Sequence, residues 1–185
     1  ASAALACFEK ALAIDPGKIE TRACRAHATR DLNRLDEAIT GYDSVLADDP
    51  QFADAVINRS YALLMRGDLR EGWKAYDARF TAGGLVGRNF AYPEWRGEPL
   101  AGKRLLVYAE QGLGDEIMFA SCFRDVMRAA DQCVIECSTK LAPLFRRSFQ
   151  NATIIVGDQT NPDLAYLQSQ PAIDCQVAAG SLPGI

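Results

Sequence analysis

The sequence has one histidine, His27, and no CxxC pair among its six cysteines at positions 7, 24, 122, 133, 137 and 175. A zinc site or a Ser-His-Asp triad is hard to assemble from that inventory, so no metal is expected. Basic runs are missing, and the net charge is −4. That excludes nucleic acid and anionic membrane as principal partners. No apolar stretch approaches the length of a membrane span, and none has the pattern of a signal peptide. A cytoplasmic protein with reduced, largely buried thiols is therefore expected. An initiator methionine is lacking as well: Ala1 falls directly into a helical pattern, as in a piece of a longer chain. What is present is 185 residues, 49% hydrophobic and 24% charged, enough for one ample domain or two small ones.

The first half repeats. Phe8, Tyr42 and Tyr76 are separated by 34 residues each time, as are Ala4, Ala38 and Gly72, and Leu12, Leu46 and Phe80. Pro16 and Pro50 keep the same interval. Small residues at Ala4 and Ala38 let paired helices approach, aromatics fill the gap, and the proline stops the helix. The unit Ala4, Phe8, Ala11, Leu12, Pro16 resembles the second helix of a tetratricopeptide repeat. That resemblance implies a helical solenoid over residues 1–80, made of a half repeat and two full ones. The spacing predicts helices over 1–15, 19–32, 36–48, 52–66 and 69–80, with a turn at Gly67-Asp68 and Phe8, Tyr42 and Tyr76 buried at equivalent points. The large aromatic that opens each first helix in the family is Arg22 in one repeat and Val56 in the next, a departure from the pattern. The resemblance also implies a concave groove for a protein or peptide partner. Its lining in the last repeat would include Ile57, Asn58 and Tyr61, with Asn58 as a clamp on the peptide backbone because an amide both donates and accepts. Packing against neighbouring helices is the structural alternative for each of these residues.

Residues 81–103 change composition, with five glycines, two prolines, and Phe90, Tyr92 and Trp95 among them. A flexible linker is polar and carries few aromatics, so an ordered strap is expected, its aromatics packed on the helices or the sheet. From Arg104 the pattern alternates: strand 104–109, helix 115–130, strand 133–137, helix 139–149 and strand 153–157. A short segment at 163–170 and a fourth strand at 173–178 follow. Ser138 or Thr139 is placed to cap the second helix. Alternation of this kind implies parallel strands, so residues 104–185 read as one half of a Rossmann-like domain. The fold class is thus a helical solenoid followed by a partial parallel α/β domain.

Between the first strand and its helix stand Gln111-Gly112-Leu113-Gly114-Asp115. The two glycines fit a tight turn at the carboxyl edge of the sheet, where open α/β folds bind ligands. Dinucleotide binding fits poorly, although Glu136 lies roughly where a ribose-binding acid belongs. The third glycine of that fingerprint is missing, and Asp115 and Glu116 occupy the first helical turn, where they would repel a pyrophosphate. Two readings of Asp115 stay open on residue chemistry alone. It is a general base that takes a proton from an attacking hydroxyl, or it is a helix cap.

Three runs carry a further resemblance: Glu71-Gly72-Trp73 with Tyr76 and Arg79; Pro93-Glu94-Trp95-Arg96-Gly97-Glu98-Pro99-Leu100-Ala101-Gly102-Lys103; and Glu110 through Asp115. Together they resemble a bacterial family that joins tetratricopeptide repeats to a glycosyltransferase-like domain. The glycine-aspartate turn is similar to that of the heptosyltransferases, which have two Rossmann-like halves. The resemblance implies Asp115 as catalytic base, with Gln111, Gly112 and Gly114 lining the substrate. Domain order alone resembles the protein O-linked N-acetylglucosamine transferases, without a matching histidine. It implies that the repeats recruit a protein or glycan acceptor. A nucleotide-sugar donor would bind in a second Rossmann half that this chain lacks, so no cofactor is expected here and this segment alone would be inactive. A non-catalytic interaction scaffold with a degenerate transferase domain is the alternative.

Overall fold

The structure, a computed structural model, describes residues 1–82, 84–85, 87–88, 90–157, 167 and 172–185. The chain divides into two compact units, Ala1–Val86 and Gly87–Pro183.

The first unit is helical: α1 (Ser2–Ile14), α2 (Ile19–Asp31), α3 (Leu35–Asp48), α4 (Ala53–Arg66) and α5 (Leu69–Tyr76), which tightens into a 3₁₀ turn at Asp77–Phe80. Connections of two to four residues make consecutive helices antiparallel neighbours. Gly67 closes α4 in the left-handed conformation, φ 96°, which a residue with a Cβ adopts only with strain. Packing depends on small residues where helices meet. A Cβ added at Gly41 would stand 3.0 Å from the Ala26 Cβ, and one at Gly72 would stand 2.7 Å from the Leu64 side chain. The 34-residue interval reappears in burial. Ala23 and Ile57, Ala26 and Ser60, Ala28 and Ala62, and Thr29 and Leu63 are pairwise equivalent and all buried.

The aromatic column departs from expectation at one end. Tyr42 is fully buried and Tyr76 is 8% exposed, whereas Phe8 is only half-buried and Ala4 is exposed. The difference follows from α1 having α2 as its main neighbour, while α3 lies between α2 and α4. Arg79 is buried in the turn after α5, its guanidinium held by the Asp77 carboxylate and the Tyr76 carbonyl and stacked over the Phe80 ring at 4.1 Å.

Burial has a pH consequence here. The His27 ring lies 5.5 Å from the Tyr42 ring, and its Nε2 is buried without a partner among the described residues. Burial chiefly, with the Arg30 guanidinium beside it, holds the imidazole below its usual value of 6.5, against the opposing pull of Asp54 and Asp31. A group depressed in the folded state binds fewer protons than in the unfolded chain, so its stabilising share is present above the unfolded pKa and lost as pH falls. The helical unit is expected to lose melting temperature between about pH 7 and pH 5.5, a slope that His27→Gln should flatten. An unchanged slope in that variant, followed by helical circular dichroism, would assign the effect to carboxylates instead.

The second unit is α/β: β1 (Arg104–Tyr108), α6 (Leu113–Phe119), a 3₁₀ turn (Ala120–Cys122), α7 (Phe123–Ala129), β2 (Gln132–Cys137), α8 (Ala142–Ser148), β3 (Thr153–Val156), β4 (Cys175–Ala178) and a 3₁₀ segment (Ala179–Gly184). The strands are parallel in the order β3-β2-β1-β4, which makes β1 a central strand. A run buried on both faces is what such a strand requires, and Leu105, Leu106 and Val107 are at most 1% exposed. Leu105 is in register with Cys133 on one side and Cys175 on the other. Burial raises both thiols, that of Cys133 to about 11, and all six cysteines are free. Phe123 of α7 and Phe145 of α8 meet edge to face at 5.8 Å, with Phe149 against both, so these two helices share one hydrophobic cluster.

Three boundaries are corrected. The helix expected over 115–130 begins at Leu113 with Gly112 as its N-cap, and is interrupted by 3₁₀ geometry at Ala120–Cys122. Neither Ser138 nor Thr139 caps α8; Leu141 holds that position, and the Ser138 carbonyl instead accepts the Leu141 and Ala142 amides. The expected fourth strand shortens to Cys175–Ala178. The expected segment 163–170 lies outside the described residues, apart from Leu167.

The strap from residue 90 onward is ordered on the sheet of its own unit. Phe90 is 8% exposed, its ring 4.9 Å from that of Tyr108. Glu94 forms a parallel bridge with Gln176. The Trp95 amide donates to the Gln176 carbonyl at 2.7 Å, and the Gln176 amide donates to Pro93 at 2.9 Å. This backbone pairing covers the outer edge of β4, an edge that would otherwise offer a template for unwanted strand addition. Among the described residues, no helix is long and apolar enough to cross a membrane.

Candidate functional site

The parallel sheet sets where a site can form. β1, β2 and β3 progress outward in one direction, while β4 lies on the other side of β1. The strand order therefore reverses at β1, and the crevice beyond the carboxyl ends of β1 and β4 is where open α/β sheets take ligands. The segment Ala109–Asp115 leaves β1 at that edge.

Asp115 is the third residue of α6, not its N-cap. Its Oδ2 accepts the Gly112 amide at 3.1 Å, while the Asp115 and Glu116 amides both donate to the Gly112 carbonyl at 3.0 Å. This is the back-reaching half of a capping box, with a glycine in the capping position. The Asp115 side chain is half-buried, and its other oxygen, Oδ1, has no hydrogen-bond partner among the described residues. The base and the cap are thus not exclusive: one oxygen holds the helix start and the second is available to a hydroxyl.

The glycines serve space, not backbone strain. Gly112 has φ −75°, ordinary extended geometry, and Gly114 lies inside α6. A Cβ built on Gly114 would find nothing within 4 Å. The expected need for glycine in a tight turn is therefore corrected. What Gly114 provides is open room one residue before Asp115.

Two carboxylates whose bonding roles sequence reasoning missed hold this turn in place. Glu110 Oε1 accepts the Gly180 amide at 3.2 Å and the Gln111 Nε2 at 3.3 Å, joining the exits of β1 and β4. Glu116, 4% exposed, accepts the Ser138 amide on Oε2 at 2.9 Å, joining α6 to the exit of β2. The available signal was three acids within seven residues after an apolar strand, too common a pattern to assign partners.

Glu136 is not free for a ribose. It is 2% exposed and paired with the Arg88 guanidinium, which stacks over Phe90 at 5.0 Å. A side chain added at Gly157 would overlap the Glu136 carboxyl group. Removing one partner of a buried pair leaves an uncompensated charge, so Arg88→Ala is expected to cost about 3 kcal/mol. The Arg88→Ala, Glu136→Gln double variant should recover most of that loss. Urea denaturation of the four proteins measures the coupling, and a single-variant loss under about 1 kcal/mol would mean the pair is solvated.

In the helical unit the proposed groove residues separate. Ile57 is 5% exposed and belongs to the helix core, so it is withdrawn as a lining residue. Asn58 already uses its amide internally: Oδ1 accepts from Arg30, and Nδ2 donates to the Asp54 carbonyl at 2.8 Å. Tyr61 is 38% exposed, its ring 6.0 Å from that of Tyr76, and Met65 one turn on is 55% exposed.

No family model matches the chain. Among curated proteins it is similar to Protein FlbA of Caulobacter vibrioides, with 31% identity over 162 residues, covering 83% of this chain and 27% of that protein. The chain thus spans about a quarter of that relative's length. An alignment of 162 residues is longer than either compact unit, so the likeness crosses from the helices into the α/β unit.

Proposed function

We propose that this chain is the acceptor-side part of a cytoplasmic bacterial glycosyltransferase. In this reading the tetratricopeptide helices recruit a protein or glycan acceptor, and Asp115 takes the proton from the acceptor hydroxyl as it attacks the sugar. The nucleotide-sugar donor binds a second Rossmann half outside this chain. The observation that carries the reading is the Asp115 Oδ1, without a partner among the described residues, at the carboxyl edge of the sheet beside the open space at Gly114. A carboxylate acts as a general base only within hydrogen-bond reach of the proton it removes, and this one has both a spare oxygen and room in front of it. The burial columns at 34-residue spacing support the repeat assignment. Tyr61 remains as an exposed groove position for an acceptor peptide, with Met65 exposed one turn on and Asn58 reachable only by displacing Arg30.

The competing reading is a non-catalytic scaffold, favoured by the capping contact that gives Asp115 a structural role without any substrate. Nucleoside diphosphate release from a panel of nucleotide-sugars, measured on the full-length protein, separates the two. Saturable donor-dependent release supports the transferase. Absence of both release and donor binding across the panel leaves the scaffold.

A further inference from the structure

A second cleft, of about 480 Å³, lies in the α/β unit between α7 and the turn that joins α8 to β3. Its walls carry Arg124 and Arg128 from α7, Arg147 from α8, and Gln150 and Asn151 from the turn, with Phe149 and Met127 also in the lining. The volume falls in the range of small-molecule sites. The lining holds three cations and no acid in a chain whose net charge is −4. Arg128 pairs with Asp125, and both are largely exposed. Arg124 and Arg147 have no hydrogen-bond or ion-pair partner among the described residues.

Helix dipoles do not account for this set. Arg128 and Arg147 lie in the last turns of their helices, where a cation is favourable. Arg124, by contrast, is in the first turn of α7, where a cation is unfavourable. Nor does any of the three donate to a terminal carbonyl of α7 or α8, as a capping arginine does. Guanidinium groups present planar forks that match carboxylate and phosphate oxygens, and the Gln150 and Asn151 amides add donors beside them.

We propose that this cleft binds a small, multiply charged oxyanion, a ligand bearing phosphate or carboxylate groups. It stands on the α8–β3 side of the unit, apart from the Asp115 turn, and does not depend on the transferase reading. The test is calorimetric titration of the whole chain at low salt with pyrophosphate in one arm and citrate in the other. Saturable binding of either is expected, and whichever anion binds more tightly names the ligand's oxygen chemistry. Arg124→Gln and Arg147→Gln should each weaken it about tenfold, with melting temperatures unchanged. Arg147→Lys should also weaken it, because the point charge remains but the fork is lost. Arg146→Gln, on the same helix outside the cleft lining, should not weaken it. Absence of saturable binding in both arms overturns the proposal, as does equal weakening by Arg146→Gln, which would mark a diffuse charge effect.

Discussion

On the proposed transferase reading, Asp115→Asn in the full-length protein is expected to slow sugar transfer by about two to four powers of ten while leaving the fold in place. The substitution is selective because the two carboxylate oxygens have different duties. Oδ2 accepts the Gly112 amide, and the carboxamide oxygen of asparagine can take over that bond. Oδ1 is the oxygen without a partner among the described residues, and asparagine has no second acceptor able to receive the hydroxyl proton. Asp115→Ala removes both functions, so it should combine the catalytic loss with about 1 kcal/mol of destabilisation from the lost helix-start contact. Gly114→Ala supplies a control on position. Alanine suits a helix better than glycine by about 0.5–1 kcal/mol, and among the described residues nothing lies within 4 Å of a Cβ there. Stability should therefore rise, yet turnover should fall about a hundredfold, because the methyl group enters the space an acceptor needs for attack geometry. Turnover and melting temperature are measured together for all three variants. Full activity in the asparagine variant would end the candidacy of Asp115 as the base, and full activity in Gly114→Ala would place the acceptor elsewhere.

The legible parts of this fold were those set by short-range period. A buried strand followed by an amphipathic helix is written in Leu105–Ala109 and in Phe119, Phe123 and Val126, and the structure buries these side chains. The helix-pair interval was equally plain in its second helices, where Ala38 and Gly72 stay small and Tyr42 and Tyr76 stay aromatic. In the first helices the same interval is hidden. Thr29 and Leu63 are equivalent and both buried, but Thr29 satisfies its hydroxyl on the Arg25 carbonyl at 2.8 Å, a local bond that makes a polar residue tolerable inside. Long-range partners were out of reach. Asn58 meets Arg30 across 28 residues, and Glu136 meets Arg88 across 48, while nothing local in either sequence segment names the other. The start of α6 was misplaced because Asp is a strong N-cap, so a sequence with Asp after Gly-Leu-Gly points to position 115. The chain instead begins the helix at Leu113, with Gly112 as its N-cap, and Asp115 reaches back to the Gly112 amide. That shift matters at the site, since an N-capping aspartate and one at the third helical position present different oxygens to an incoming group.

The largest stability effect is expected in the helical unit, at Tyr42. Its side chain is fully buried in the cluster of Ala26, Ala38, Val45, Ala62 and Leu63. Tyr42→Ala leaves a ring-sized cavity in a closely packed cluster that relaxes only partly around it, and should cost about 3–5 kcal/mol. The hydroxyl runs the other way. Its oxygen is buried without a hydrogen-bond partner among the described residues, and burial pushes the phenol well above its ordinary range. A buried hydroxyl that has given up water for nothing costs about 1–3 kcal/mol, so Tyr42→Phe should leave the packing intact and raise stability by about 1 kcal/mol. Opposite signs from two substitutions at one residue are a demanding outcome, because a general intolerance at the site would lower both. The two units need not unfold together, so the measurement is urea denaturation followed both by helical circular dichroism and by fluorescence of Trp73 and Trp95, one in each unit. A loss below about 1 kcal/mol in the alanine variant would remove Tyr42 from the core. A loss in the phenylalanine variant would mean that the hydroxyl is bonded in solution, with His27 as the candidate partner, since the ring centroids are 5.5 Å apart and its Nε2 likewise has no partner among the described residues. In that event His27→Gln should produce a matching loss, and the two substitutions together should cost less than their sum.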